Sequence, residues 1–199
     1  MKVCHRPDLF CWSRFDEARN IDFHAWVWVR DGGNIAVDPL PLSDHDRAHL
    51  RELGGLSMVV VTNSDHMRDS QRVAADFGAE LVGPRAERGS FGVDCSRWVR
   101  EGDQLTLGLS VLEMEGSKTP GELALLLDRT TLITGDLIRA HAGGKLVLLP
   151  KEKLTDRAAA VASVKRLLGY KDIDAVLPGD GWPVFRDGQA RLRELVASL

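Results

Sequence analysis

Cysteine is scarce in this chain. Cys4, Cys11 and Cys95 are odd in number and form no C-x-x-C pair, which excludes a disulfide framework as the device that holds the fold. The irregular spacing of Cys4, His5 and Cys11 fits free thiols, buried or half-buried, better than a zinc site. No basic run interleaved with aromatics occurs and the net charge is only -3, so neither nucleic acid nor an anionic membrane is expected as a partner. No window approaches the length of an apolar membrane span. The opening MKVCHRPDLFCWSRF also has no apolar h-region, and the expectation is a cytoplasmic protein. Internal repeats and low-complexity linkers are missing too. What remains is a chain of 199 residues, 44% hydrophobic and 28% charged, large enough to bury a real core. It reads as a single domain over residues 1–199, made of two similar αβ halves.

Apolar runs alternate with turn signals along the whole chain. Residues 23–29 (FHAWVWV) have strand character, and Asp31-Gly32-Gly33 leads into a second short strand, NIAVDP, which predicts a hairpin closing at Asp38-Pro39. Ser43 is placed to cap a helix that Gly54-Gly55 stops. A β-branched strand over 57–62, a helix over 65–77 ended by Gly78, and a strand over 79–83 make a βαβ unit, which favours parallel pairing. In the second half, strands are predicted over 103–115, 121–127, 131–134 and 173–177. An amphipathic helix is predicted over 154–168, and a last helix over 189–199.

Five of these strand ends carry turn-prone polar clusters: DP at Asp38, TNSDHMRD from Thr62, GSKTPGE from Gly116, TGD ending at Asp136, and PGDG around Asp180. Loops at strand ends of αβ sheets are where ligands bind. Each cluster also has a purely structural reading. Asn63, Ser64 and Asp65 can cap the following helix, His66 can face solvent, and Thr119-Pro120-Gly121 can be a turn.

Taken in order, the motifs resemble the metallo-β-lactamase superfamily of hydrolases. VVVTNSDHMR is similar to the family's strand–T-H-x-H-x-D-H–helix, SKTPG to G-H-T-P-G, LITGD to strand–T-G-D, and PGDG to P-G-H-G. The resemblance covers nearly the whole chain and implies an α+β, four-layer αβ/βα sandwich of two mixed sheets with helices on both outer faces, and a site at the sheet edges. It does not extend to the metal ligands. Where the family's first site has three histidines, this chain has Asn63, Asp65 and Lys118; where the second has an aspartate and two histidines, it has Met67, Arg68 and Asp180. Asp136, at the bridging position, keeps the family's residue type, and His66 falls where the family has no ligand.

Methionine, arginine and lysine cannot hold two zinc ions. If the backbone follows the family, Lys118 and Arg68 face Asp65, Asp136 and Asp180 and stand in for the metal charge. Opposite charges about 4 Å apart attract by roughly 4 kcal/mol at an effective dielectric near 20, enough to offset part of their desolvation. No cofactor is expected on this reading. The alternative is one divalent cation on Asp65, Asp136 and Asp180, with Asn63 or His66, a mostly oxygen set suited to Mg²⁺, Mn²⁺ or Ca²⁺.

The resemblance to the glyoxalase-II-type branch implies hydrolysis of a small ester, thioester or lactone. The catalytic candidates are Asp65, His66, Lys118, Asp136 and Asp180, an aspartate serving as general base while Lys118 and Arg68 stabilise the oxyanion. Asn63, Arg68, Arg139 and His141 are candidates for contacting a small-molecule substrate. The competing class is a pseudoenzyme that binds a small polar ligand in the same pocket. Residues 137–149, with Gly143-Gly144 among polar neighbours, are expected to form a mobile segment over that pocket.

Overall fold

The run LFCWSRFD opens with four apolar residues and ends in mostly polar ones, and FHAWVW follows it after a short turn; together they form the longest paired ribbon of the molecule. The computed structural model describes all of residues 1–199. Seven strands lie side by side in chain order: β1 (Lys2–Val3), β2 (Leu9–Asp16), β3 (Ile21–Trp28), β4 (Ile35–Val37), β5 (Met58–Val60), β6 (Glu80–Pro84) and β7 (Arg97–Val99). Pairing is antiparallel from β1 to β4 and parallel from β4 to β7.

A second sheet joins β8 (Gln104–Thr106), β9 (Leu109–Glu113), β10 (Leu123–Leu127), β11 (Thr131–Thr134) and β14 (Ala175–Pro178), the last two parallel and the rest antiparallel. A separate ribbon pairs β12 (Ile138–Ala142) with β13 (Lys145–Leu148). Four α-helices complete the chain: α1 (Asp44–Glu52), α2 (Ser70–Phe77), α3 (Arg157–Arg166) and α4 (Gly188–Ala197). None is long and apolar enough to cross a membrane.

Three apolar clusters define four layers. One joins the outer face of the first sheet to Leu50 of α1 and Val73 and Ala74 of α2. The middle cluster lies between the sheets, where Val37, Val60 and Val82 meet Leu123, Leu125 and Leu177. The third joins the second sheet to Ala160 and Val164 of α3 and Leu192 and Leu195 of α4. Leu125 is wholly buried between the sheets, and its truncation to alanine would cost about 2–5 kcal/mol. The sandwich of two mixed sheets with helices outside is thus as expected.

Caps set the helix starts. Ser43 Oγ accepts from the Asp46 amide at 3.1 Å and Asp156 Oδ1 from Ala158 and Ala159 at 2.8 and 3.0 Å, satisfying amides that have no partner within the helix. Gly78, at φ 66°, ends α2.

Several expectations need correction. The helix predicted over 65–77 divides into a 3-10 turn, Ser64–His66, and the later α2, because Arg68 at φ 44° breaks the helical path. The strand predicted over 103–115 is a hairpin, β8 and β9, turned by Gly108 at φ 85°. Residues 137–149 are not irregular. They form the β12–β13 ribbon, anchored by Ile138, Ala140, Leu146 and Leu149 in the third cluster.

Candidate functional site

The parallel strands all deliver their C-terminal ends to one edge of the sandwich. There β4 ends at Asp38, β5 runs into Thr62 and the Ser64–His66 turn, β11 leads to Asp136, and β14 to Asp180. Asn63 Oδ1 caps the 3-10 turn by accepting from the amides of Asp65 and His66 at 2.9 and 3.1 Å, which turns the His66 ring inward. Asn63 is itself fully buried and lies outside the cavity wall, so its structural reading holds.

His66 is the centre of the site. Its Nδ1 lies 2.8 Å from Asp38 Oδ2, and its Nε2 is 3.5 Å from Asp136 Oδ2 and 3.8 Å from Asp180 Oδ1. Asp38, at φ 48°, also accepts from the amide and hydroxyl of Thr62 at 2.7 and 2.6 Å, which fixes it against the imidazole. Burial and the Arg68 charge oppose protonation of His66, but Asp38 and Asp136 outweigh them and take its pKa up to about 10. At neutral pH it is therefore an imidazolium. The ring is seated against Gly179, where an added Cβ would lie 2.4 Å from His66 Cε1; this is why PGDG needs that glycine.

Lys118 sits between two carboxylates, 2.6 Å from Asp65 Oδ2 and 2.9 Å from Asp136 Oδ2. Its partial burial disfavours the charge, yet the two aspartates hold its pKa above the ordinary value. Burial raises the pKa of Asp136, but His66 and Lys118 more than reverse this and hold it well below the usual carboxylate range. Arg139 donates to Asp180 Oδ2 at 2.7 Å. Arg68 gives its donors to the carbonyls of His24, Asp38 and Gly179 at 2.5, 3.0 and 3.3 Å, and lies 3.7 Å from Asp180 Oδ1. It ties the middle of β3 to the ends of β4 and β14. Four cations therefore face four carboxylates, with Asp38 completing the set.

Two groups the sequence reading did not single out belong here. Asp38 was noted only as a strand-end turn. Glu122 is wholly buried behind Asp136, accepting from Ser117 Oγ at 2.5 Å and from the Leu137 amide at 2.7 Å. Burial first, then the Asp136 charge, push it up to about 8, so it is largely protonated at neutral pH. The sequence signal was the acidic residue in TPGE directly before an all-apolar strand, LALLL.

Above this cluster opens a cavity of about 750 Å³, walled by Asp65, His66, Lys118, Asp136, Arg139 and Asp180 among others, with His141 on its rim. The catalytic candidates Asp65, His66, Lys118, Asp136 and Asp180, with Arg68, Arg139 and His141, thus converge on one space. Asn63 does not.

A family model described as metallo-beta-lactamase superfamily matches residues 1–199. The chain belongs to that superfamily. It is 34% identical over 87 residues to a hydroxyacylglutathione hydrolase of Brucella anthropi; that match covers 41% of the chain and about a third (32%) of the relative. Among solved structures, the fold is similar to the DIM-1 metallo-beta-lactamase (TM-score 0.76, 17% identity, 98% and 94% of the two chains covered). It is also similar to a metallo-beta-lactamase from Pontibacter korlensis (TM-score 0.75, 14% identity, 99% and 96% covered).

The superfamily normally binds divalent metals, so this chain's donors can be tested against that role. A binuclear zinc centre does not fit: Asn63 is spent as a cap, Met67 packs in the outer apolar cluster, and Arg68 and Lys118 bring positive charge. A three-residue set does exist. Donor atoms of His66, Asp136 and Asp180 lie within 4.8 Å of one another; Asp180 Oδ1 is buried without a hydrogen-bond partner, and buried Asp136 Oδ2 meets the Lys118 ammonium at 2.9 Å. In this set His66 takes the place expected for Asp65, whose carboxylate is half-exposed and reaches Asp136 only through Lys118. The oxygen of Asp136 that faces His66 is also the one nearest the Lys118 ammonium.

Proposed function

We propose that this protein is a hydrolase-like member of the superfamily whose metal centre has been replaced by side-chain cations, acting on a small ester, thioester or lactone. The observation that carries the reading is the Lys118 ammonium held between Asp65 and Asp136, 2.6 and 2.9 Å from their oxygens. It puts a fixed positive charge, with donors to spare, against the cavity where a carbonyl oxygen would develop negative charge.

Among the carboxylates, Asp65 is the one suited to activate water. Its side chain is 52% exposed, whereas the side chains of Asp136 and Asp180 are shut off from solvent. Asp136 is moreover too weakly basic. In the proposed reaction Asp65 takes a proton from water as the oxygen attacks the carbonyl carbon. Lys118 stabilises the resulting oxyanion, and Asp65 returns the proton to the departing alcohol or thiol as the carbonyl re-forms. His66 and Arg68 position the strand ends. The free state of all three cysteines supports a reducing, cytoplasmic setting for this activity.

A second reading, a pseudoenzyme binding a small polar ligand, is favoured by the matching of four cations to four carboxylates, which leaves little reactivity to spare. Assay of aryl esters, thioesters and lactones on chelator-treated protein, with elemental analysis, decides between them. Turnover that survives chelation and falls at least about tenfold in Asp65→Asn supports the hydrolase. Stoichiometric zinc with chelator-sensitive turnover refutes the side-chain-cation centre, and ligand binding without turnover supports the pseudoenzyme.

A further inference from the structure

We infer that the cavity recognises a small molecule carrying a carboxylate or phosphate group, which Arg19, His141 and Lys153 hold on the rim while the reacting carbonyl lies below at Lys118. The inference rests on the hydrolase reading for the carbonyl, but the anion-binding half stands on charge and geometry alone.

The charges lining the cavity are unequal. Five lysine and arginine side chains face three aspartates, an excess of two positive charges in a protein whose net charge is -3. On the floor the charges are already matched: Lys118, Arg68 and Arg139 face Asp65, Asp136 and Asp180, and the His66 imidazolium faces Asp38. The excess therefore resides on the rim.

Arg19 is 67% exposed, and its one carboxylate contact, Asp16, is at 3.8 Å. Its guanidinium lies over the Phe23 ring, 5.7 Å from the centroid, which presents it toward the cavity without consuming its donors. Lys153 ends the Lys151–Lys153 turn, exposed and outside any ion pair. His141 projects from β12, the strand that also carries Arg139. After burial, the nearby Arg139 charge is the chief force holding His141 toward its neutral form, with Lys153 adding to it; these groups stand close enough to feel one another. Such an array attracts an oxyanion by long-range field and by charge-assisted hydrogen bonds.

Phosphate and carboxylate share this chemistry, so both are tested. Inorganic phosphate and succinate are titrated calorimetrically into the whole protein at fixed ionic strength, against sodium chloride as the control. Saturable binding of either anion is expected, and the tighter of the two identifies the group. In the Arg19→Glu/Lys153→Glu variant the dissociation constant should rise by at least about tenfold. Both positions are exposed, and the thermal midpoint of the variant checks that the fold is intact. Binding no stronger than that of chloride, or binding unchanged in the variant, overturns the rim.

Steady-state rates on a hemisuccinate aryl ester and on the matching acetate ester separate the two layers of the argument. If the variant loses kcat/KM on the hemisuccinate while retaining it on the acetate, the rim selects the substrate. Equal loss or equal retention on both esters refutes that selection and leaves the hydrolase reading intact. Anion binding without turnover of either ester upholds the rim and fails the hydrolase reading instead.

Discussion

Replacing Lys118 by methionine removes one charge, keeps most of the side-chain volume, and so tests the cation without opening a large hole. Asp136 loses a partner at 2.9 Å while remaining almost wholly buried. At that distance and an effective dielectric of about 20 the pair attracts by roughly 6 kcal/mol before desolvation is counted. Stripping one partner from a buried ion pair costs about 3–5 kcal/mol. Two features lower the figure here: His66 Nε2 stays 3.5 Å from the same oxygen, and the Lys118 side chain is 27% exposed, so water can enter where it stood. The expected loss is about 2–3 kcal/mol, a fall of about 5–10 °C in the thermal midpoint for a chain of this size. Urea unfolding of Lys118→Met, Asp136→Asn and the double variant completes a cycle. The double variant should be more stable than the sum of the single losses, with a coupling of about 1–3 kcal/mol. Asp65, half-exposed, serves as the internal contrast, and its coupling to Lys118 should stay below about 1 kcal/mol. Additivity of Lys118 and Asp136 to within about 0.5 kcal/mol would refute the claim that Lys118 holds Asp136 charged.

Three further outcomes are expected. Lys118→Ala frees Asp136 Oδ2, and the His66, Asp136 and Asp180 donors should then bind Mn²⁺ or Zn²⁺ more tightly than the wild type by calorimetry; equal affinity would show that the ammonium does not block the set. Glu122 has its folded pKa raised from 4.5 to about 8, so its contribution to stability is full below about pH 4.5 and is lost as the pH rises toward 8. Relative to wild type, Glu122→Gln should gain stability across that window, and a constant difference between pH 5 and 8 would remove Glu122 from the account. Gly179→Ala drives a methyl into His66 and should cost about 2–4 kcal/mol, whereas Gly89→Ala, with nothing within 4 Å, should be nearly neutral. Similar midpoints for the two alanine variants would mean that the His66 ring is free to move away.

The strand-end motifs were legible because their signals are local: a short β-branched or leucine run, then a turn residue that fixes the backbone. Elements whose signal is a partner elsewhere were missed. LFCWSRFD carries two charges on its exposed side and gains its stability from pairing with β3 over eight positions. Arg97–Val99 is three residues long and exists because β6 lies beside it. Gly143-Gly144 suggested a loose segment, but the flanking IRAHA alternates, and Ile138, Ala140 and Leu146 are buried in the cluster that α3 and α4 share with the second sheet. Local flexibility of two glycines was outweighed by apolar burial on either side.

His66 shows the same limit at the site. Carried over by register, it occupies a position without a ligand role, and no local pattern ties it to Asp38, Asp136 and Asp180, its neighbours in space. What brings it inward is the tight 3-10 turn capped by Asn63, in place of the regular helix that the motif suggested. A metal ion is a charge supplied from solution and can be removed from it. The cations here are covalently part of two loops and β12, so they cannot be lost, and Arg68 and His66 also fasten the strand ends around them. Arg68 binds the carbonyls of His24, Asp38 and Gly179, from β3, the end of β4 and the turn after β14, while His66 spans Asp38 and Asp136. On the proposed reading, a centre built of side-chain cations therefore couples the site to the sandwich itself. A substitution that neutralises one of these cations should loosen several strand ends together, whereas removing a bound ion from a set of histidines would leave the strands as they were.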